Sequence, residues 1–470
     1  MYTIKDRINH IFKQNSMKVI FLLAIPAIIE NISQVFIGVV DFYLVGKLGT
    51  QAIAAVGVTN LTMNIYISFF LALGIGTTAM VARFVGANDY KSTNEAIKQS
   101  LMMAIGIGLF FGLVNLIFSK HILLLLGAEK KVVEYALPYF ISVAVPSVFL
   151  SVTMVLSSAL RGAGDTKTPM KIALISNIIN AILTYFLIFG IYDFQGIGIL
   201  GAGVATTVAR IISVILLVRK INNESSRLEL TLTKSFKIDF RLLKSITKIS
   251  FPAAIEKLIM RSGQLIYGSL IIKIGTNAYA SHNIAGTIET LSYLPGMGFG
   301  VAAATLVGQN LGRNNKDEAK RIGLISYYFS TIVMVVLGLV FYIYAPFFAR
   351  LFTKDIEVIS QVVQVLRLIA LFQPFLSMTL VITSALQGAG DTKFPMYASF
   401  IGIWGIRVIG VYLLGIRFNY GLVGVWVAYA IDITIRGILL YYRFIKGHWQ
   451  SIKLSEEKEG VKNARSQSSK

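Results

Sequence analysis

SALRGAGDTKTPM at residues 158–170 returns as SALQGAGDTKFPM at residues 384–396, eleven identities in thirteen at a shift of 226. Other pairs keep that shift. Pro26 answers Pro252, with Glu30 and Glu256 four residues after each; Gly49-Thr50 answers Gly275-Thr276, and Gly86 answers Gly312. The chain is therefore an internal duplication. Its halves lie in strongly apolar sequence: 55% of the 470 residues are hydrophobic, only 14% are charged, and mean hydropathy is +0.70. A soluble domain carries about 25% charged residues, so this composition excludes a soluble enzyme, a disordered chain and a disulfide scaffold.

About 20 apolar residues cross a bilayer as a helix. Twelve such stretches are predicted, near 19–46, 52–82, 95–117, 133–158, 168–190, 198–218, 246–272, 278–308, 320–346, 358–385, 394–416 and 421–445. The expected fold is an all-α membrane protein of two six-helix lobes. An even number of spans per half makes the halves parallel repeats, related by a pseudo-two-fold axis along the membrane normal, with a cleft between them. The lobes are expected at 1–218 and 246–446, with a cytoplasmic linker at 219–245 and a disordered cytoplasmic tail at 447–470. The formal charge of +21 orients the molecule. Of 44 Lys and Arg, 30 fall on the side of both termini and 8 on the other, which makes the termini cytoplasmic. The basic N-terminus is amphipathic and lacks the pattern of a cleavable signal. Nothing soluble is left to form a nucleic-acid interface.

Ionisable residues within spans are costly and ask for a reason. Glu30, Gln34 and Asp41 share one face of helix 1. Asp41 near the outer end of that helix, Asn177, Asn180 and Thr184 on helix 5, and Thr206 on helix 6 reach similar depth. Their oxygens are hard ligands suited to Na⁺ or a shared proton. Glu30, Glu256 and Gln34 are expected to line the substrate cleft, with ion pairing to Arg210, Arg407, Lys257 or Arg261 as the structural alternative for the two acids. Asp432 and Arg436, four apart on helix 12, read as a local ion pair. Glu289, ahead of Pro295 and GMGFG, has no assigned role, in a helix expected to bend. Phe36, Tyr66, Tyr139, Phe149 and Tyr293 are candidates for stacking on an organic cation.

The paired RGAGDTKTP and QGAGDTKFP, the stretch LAIPAIIENISQVFIGVVDFYLVGKLGTQAIAAVG (23–57) with its Pro-x₁₄-Asp, and LVGQNLG (306–312) resemble the multidrug and toxic compound extrusion (MATE) family of prokaryotic type, over about residues 19–445. The resemblance implies a monomeric secondary active exporter in a prokaryotic inner membrane. It would exchange amphipathic, mostly cationic drugs for Na⁺ or H⁺ by alternating access, with membrane lipids around it and no cofactor. It also implies that Asp41, Asn180 and Thr206 hold the coupling cation, Na⁺ by its oxygen ligands. Relatives often have Asp or Asn where this chain has Thr184, so the site carries less charge and the ion stays open between Na⁺ and H⁺. Two other readings remain: a flippase for lipid-linked oligosaccharides, whose anionic cargo calls for a cleft lined with Arg and Lys, and an uncoupled channel or receptor. The GAGDTK turns read as hairpins in which Gly162 and Gly164 take positive φ and Asp165 caps helix 5. No G-x₄-GK[ST], HExxH or Gly-x-Ser-x-Gly occurs, and there is no cysteine, so ATP hydrolysis and metalloprotease or serine-hydrolase chemistry are not expected.

Overall fold

The computed structural model describes residues 16–192, 194–222 and 238–454. Most of the predicted linker and tail, and the amphipathic N-terminus, lie outside these residues. Twelve helical stretches follow in order: α1 Ser16–Gly46, α2 Thr50–Gly86, α3 Tyr90–Leu125, α4 Lys130–Gly162, α5 Lys167–Phe189, α6 Ile199–Ile221, α7 Phe240–Ile274, α8 Thr276–Gly312, α9 Lys316–Arg350, α10 Ile356–Leu371 with Gln373–Gly388, α11 Lys393–Arg417 and α12 Gly421–Lys446. Ten pass as spans on length and hydropathy, and α10 joins them as a pair of segments bent by 60°. The remaining stretch, α7, carries Glu256, Lys257 and Arg261 midway. Helices dominate because hydrocarbon offers backbone groups no partner outside the segment. A two-residue pairing of Gly190–Ile191 with Phe194–Gln195 closes the α5–α6 turn.

The repeat seen in sequence is also a repeat of turns. Asn88 and Asn314, 226 apart, both take positive φ (58° and 61°), and so do Gly164 and Gly390 (92° and 90°). Asp89 and Asn315 each cap the helix that follows. Two details of the first GAGDT turn differ from expectation. Gly162 ends α4 in helical conformation; it is glycine because a Cβ there would meet the Thr78 carbonyl at 2.9 Å. Asp165 sits one residue before the N-cap, Thr166, and accepts from the Thr168 N–H (3.0 Å) and hydroxyl (2.6 Å). Helix α8 runs unbroken through Pro295. The glycines after it serve packing: Gly296 faces Leu380, Gly298 faces Ile28 and the Ala24 carbonyl, and Gly300 faces Ser384.

Packing places a cleft between the halves. At the end bearing the GAGDT turns, the halves share their cores. Val19, Ile20, Leu23 and Ala24 of α1 join a core otherwise built from the C-terminal half. Reciprocally, Ile246 and Ile249 of α7 join the N-terminal core. Small residues let backbones meet here, as in membrane helix packing generally. Gly86 lies against the Gln309 backbone, Gly312 against the Arg83 carbonyl, and Gly76 against Ser250 and the Ile246 carbonyl, which a Cβ would meet at 3.1 Å. Cross-half hydrogen bonds run from Thr305 Oγ1 to the Arg161 carbonyl (2.9 Å) and from Gln309 Nε2 to the Gly162 carbonyl (3.0 Å). At the opposite end each half has its own core. There, mid-span polar residues are exposed: Gln34 on α1, Asn60 on α2, and Asn283, Thr287 and Thr290 on α8. The cleft therefore opens away from the GAGDT turns.

The first residues of the tail are folded. His448–Ser451 form a 3₁₀ turn, Trp449 is fully buried and stacks on Phe444 at 4.7 Å, and Arg83 of α2 donates to the Ile452 carbonyl at 3.1 Å. A polar composition concealed this, because one buried tryptophan anchors the segment.

Candidate coupling-cation site

The acids of helix 1 part company in the structure. Glu30 is buried (3% exposed) and pairs with Arg161, the arginine that opens RGAGDT. Its mate Glu256, equally buried, accepts from Gln387 Nε2 at 2.9 Å. Arg161 and Gln387 are themselves repeat mates. Both acids thus tie the first helix of their half to a GAGDT turn below the cleft, rather than lining it, and neither uses Arg210, Arg407, Lys257 or Arg261. The partner lies 131 residues away in each case, beyond the reach of helical spacing. Gln34 does face open space.

Asp41, half-buried, meets α5 and α6 in the open half of the first lobe. Asn180 (5% exposed) stands against it. With its amide nitrogen toward the carboxylate, Asn180 donates to both Asp41 oxygens at 3.1 Å and accepts from the Thr206 N–H at 3.3 Å. With the amide reversed, the nitrogen donates to Thr206 Oγ1 at 3.3 Å and the carbonyl oxygen faces the carboxylate. That reversal sets two acceptors against each other, so the hydrogen bonds fix the amide with its nitrogen toward Asp41. Thr184 is fully buried, with its hydroxyl beside the Asp41 carboxylate. Asn177, one turn away, is committed to Ser33 on α1 at 3.1 Å and stays out of the cluster. Of the candidate stacking aromatics, Tyr66 is buried and bonded to Asn115 (2.9 Å), Tyr139 is buried, Tyr293 bonds Tyr429, Phe149 is half-buried, and Phe36 is exposed.

A family model named MatE matches residues 26–186 and again 252–413, its two matches beginning at Pro26 and Pro252. The chain belongs to the MatE family. Among relatives of this MatE chain, the probable multidrug resistance protein NorM of Thermotoga maritima is 30% identical over 434 residues, covering 92% of this chain and 93% of that protein. The uncharacterized transporter YisQ of Bacillus subtilis is 27% identical over 430 residues, 92% and 94% of the two chains. A solved structure described as the outward-facing conformation of a multidrug resistance MATE family transporter superposes with a TM-score of 0.86 at 22% identity, covering 93% and 98%. That likeness concerns the fold.

The second half of this MatE chain replaces the Asp41 cluster with a different one. A Cβ at Gly201 would meet the Leu187 carbonyl at 2.5 Å and one at Gly424 the Leu414 carbonyl at 2.6 Å, so each glycine sits against that carbonyl and sets the register at this depth. Helices α6 and α12 correspond at a shift of 223, so Thr206 answers Tyr429. Helices α5 and α11 correspond at 227, one more than at Pro169 and Pro395. The extra residue is absorbed by π-helical turns at Ile401–Val408 and Val411–Arg417, as such insertions usually are. Arg407 then answers Asn180, and Tyr267 answers Asp41. Contacts agree with the registers. The Arg407 guanidinium lies over the rings of Tyr429 (4.2 Å) and Tyr267 (5.5 Å) and bonds Asp432 at 2.6 and 2.8 Å. Arg436 adds the expected i, i+4 contact at 3.3 Å. Tyr429 donates to Glu289 at 2.9 Å and bonds Tyr293 at 2.5 Å, which gives the unassigned Glu289 its place. A carboxylate and an amide in one half correspond to a fixed guanidinium between aromatic rings in the other. Tyr429 and Arg407 were not singled out as site residues from sequence; the signal was the register change hidden in α11.

Proposed function

We propose that this MatE chain is a secondary active exporter that exchanges lipophilic organic cations and other drugs for Na⁺ or H⁺, with Asp41 as the coupling carboxylate. The observation that carries the reading is the Asp41–Asn180–Thr206 cluster, with the buried Thr184 hydroxyl beside it, in the half of the lobe that opens to the cleft. The names of the relatives support drug export. The Lys and Arg distribution supports cytoplasmic termini, so the closed end is cytoplasmic and the conformation is outward-open. From that side Na⁺ or H⁺ reaches Asp41, neutralises it and favours the inward-open form. A coupling ion drives transport only by binding the two forms unequally.

The reading includes one coupling site per molecule. The equivalent place in the second half already holds the Arg407 charge, neutralised by Asp432, so no second ion is needed there. The arginines also speak against anionic cargo. Arg210 donates to the Val143 carbonyl at 3.1 Å, Arg407 is paired, and Arg261 alone of the three is exposed. The amides and hydroxyls of Gln34, Asn60, Asn283, Thr287 and Thr290, with the apolar surface around them, are the proposed substrate walls.

The test is efflux of a fluorescent organic cation from proteoliposomes with Na⁺ and pH gradients imposed separately. One gradient is expected to drive accumulation in the wild type, and Asp41→Asn to abolish it while the protein still purifies as a folded species. Undiminished gradient-driven transport by Asp41→Asn would sink the assignment.

A further inference from the structure

At the closed end, a cavity of about 370 Å³ lies between the start of α7, the second GAGDT turn and the folded beginning of the tail. Four cationic side chains border it: Lys248, Lys393, Arg443 and Lys453. Asp391 is the one acid in its lining, and it is already engaged by Arg443 Nε at 2.8 Å. Three positive charges are left without a carboxylate in the wall. Ser245 and Thr392 add hydroxyls, Ile249, Phe394, Tyr397 and Leu454 supply apolar wall, and Tyr397 is 59% exposed, as are Phe251 and Phe400 at 62% and 53%.

This cavity departs from the repeat. In the first GAGDT turn, Thr168 satisfies Asp165 with both its N–H and its hydroxyl. The matching residue in the second turn is Phe394, which has no hydroxyl and whose N–H reaches Asp391 only at 3.4 Å. Asp391 turns instead to Arg443, whose guanidinium covers the Phe394 ring at 5.2 Å. Lys171 in the first half is matched by Tyr397, and Leu22 by Lys248. Lys393 and Arg443 keep first-half counterparts in Lys167 and Lys220, while Lys248, Phe394 and Tyr397 belong to the second half alone.

We propose that this cavity binds a phosphate-bearing anion: the headgroup of an anionic lipid, or a soluble phosphate. A phosphate accepts several charge-assisted hydrogen bonds at once, which matches a cluster of lysines, and the exposed aromatic rim gives acyl chains a path outward. The bound anion joins three elements that meet at the closed end: the start of α7, whose Ile249 packs in the first half, the turn of the second half, and the tail that Arg83 holds from α2. Its binding therefore favours the form with this end closed.

The experiment titrates the full-length protein, in neutral detergent, with dioctanoyl phosphatidylglycerol, dioctanoyl phosphatidylcholine and inorganic phosphate, reading affinity by thermophoresis. A lysine facing an anionic headgroup contributes about fivefold in affinity. Lys393→Ala with Lys453→Ala is therefore expected to weaken phosphatidylglycerol binding by roughly 25-fold. Lys47→Ala with Lys120→Ala, at the opposite end, is expected to leave it unchanged. Phosphatidylcholine is expected to bind far more weakly. If inorganic phosphate alone binds and is lost in the Lys393/Lys453 variant, the proposal stands with a soluble ligand. Equal phosphatidylglycerol binding in the two lysine variants, or no preference over phosphatidylcholine, overturns it. Unfolding midpoints without lipid, expected to match the wild type, separate lost binding from lost folding.

Discussion

Arg407→Met removes the charge that stands in the second half at the position of the Asp41 cluster in the first. Arg407 contacts Asp432 twice, at 2.6 and 2.8 Å, in a pair whose side chains are 12% and 0% exposed. Removing one partner of a buried ion pair costs about 3–5 kcal/mol, chiefly because the other charge is left behind. Arg436 still reaches the same Asp432 oxygen at 3.3 Å, which places the expected loss near about 3 kcal/mol. Arg407→Lys keeps the charge but gives up the planar fork and its stacking on Tyr429, so about 1 kcal/mol is expected, within the range for such contacts. The assay is the unfolding midpoint of the detergent-purified protein, with and without Na⁺ and across pH. Wild type and Arg407→Lys should respond to the coupling ion through one site. Arg407→Met should be the least stable at low ion concentration and should recover as Na⁺ or protons enter the vacated pocket, adding a second, weaker binding step. If Arg407→Met is as stable as the wild type, or still titrates as one site, the guanidinium does not stand in for a cation and the one-ion stoichiometry loses its support.

Three further outcomes test other parts of the argument. Thr184→Asp places a second carboxylate beside Asp41 and should raise Na⁺ affinity by added Coulomb attraction, read by Na⁺-dependent protection from unfolding; an unchanged Na⁺ response would remove Thr184 from the site. Gly86→Val sets a side chain against the Gln309 backbone and should disfavour the closed end. Because the natural chain has no cysteine, this is readable as less disulfide cross-linking of a cysteine pair at 87 and 313, and as lower transport with the substrate walls intact. Arg161→Ala leaves Glu30 buried beside no cation and should destabilise by about 3 kcal/mol. Arg161→Gln reproduces the pairing of the second half and should restore most of that; equal losses for the two would show that Glu30 does not depend on its partner.

The overall architecture was legible because bilayer physics acts over long windows. Twenty apolar residues identify a span regardless of neighbours, and two copies of GAGDTK fix the repeat. Asp41, Asn180 and Thr206 could be grouped because helical rise turns sequence position into depth. Depth does not specify partners. Asn177 lies one turn from Asn180, yet it turns to Ser33, and Glu30 reaches Arg161 across 131 residues. Those choices depend on how helices rotate about their axes, which small residues on neighbouring helices decide. The tail misled for a related reason: Trp449 weighs little in a composition but fills a core position completely.

The register of α11 shows how a duplicated chain becomes asymmetric. A constant shift of 226 from Pro26 to Pro395 would pair Asn180 with Ile406, an apolar side chain, and the second lobe would hold no counterpart to the cluster. One residue taken up in π-helical turns rotates the helix by about 100°, bringing Arg407 to that position and against Tyr267, Tyr429 and Asp432. On the proposed function, the backbone defect that breaks the repeat lets one lobe exchange a cation while the other keeps one permanently. Straightening α11 by deleting one residue between 401 and 408 is the corresponding perturbation. It should withdraw Arg407 from Asp432 and lower stability at least as much as Arg407→Met. A deletion variant more stable than Arg407→Met would mean that the π turns serve packing alone.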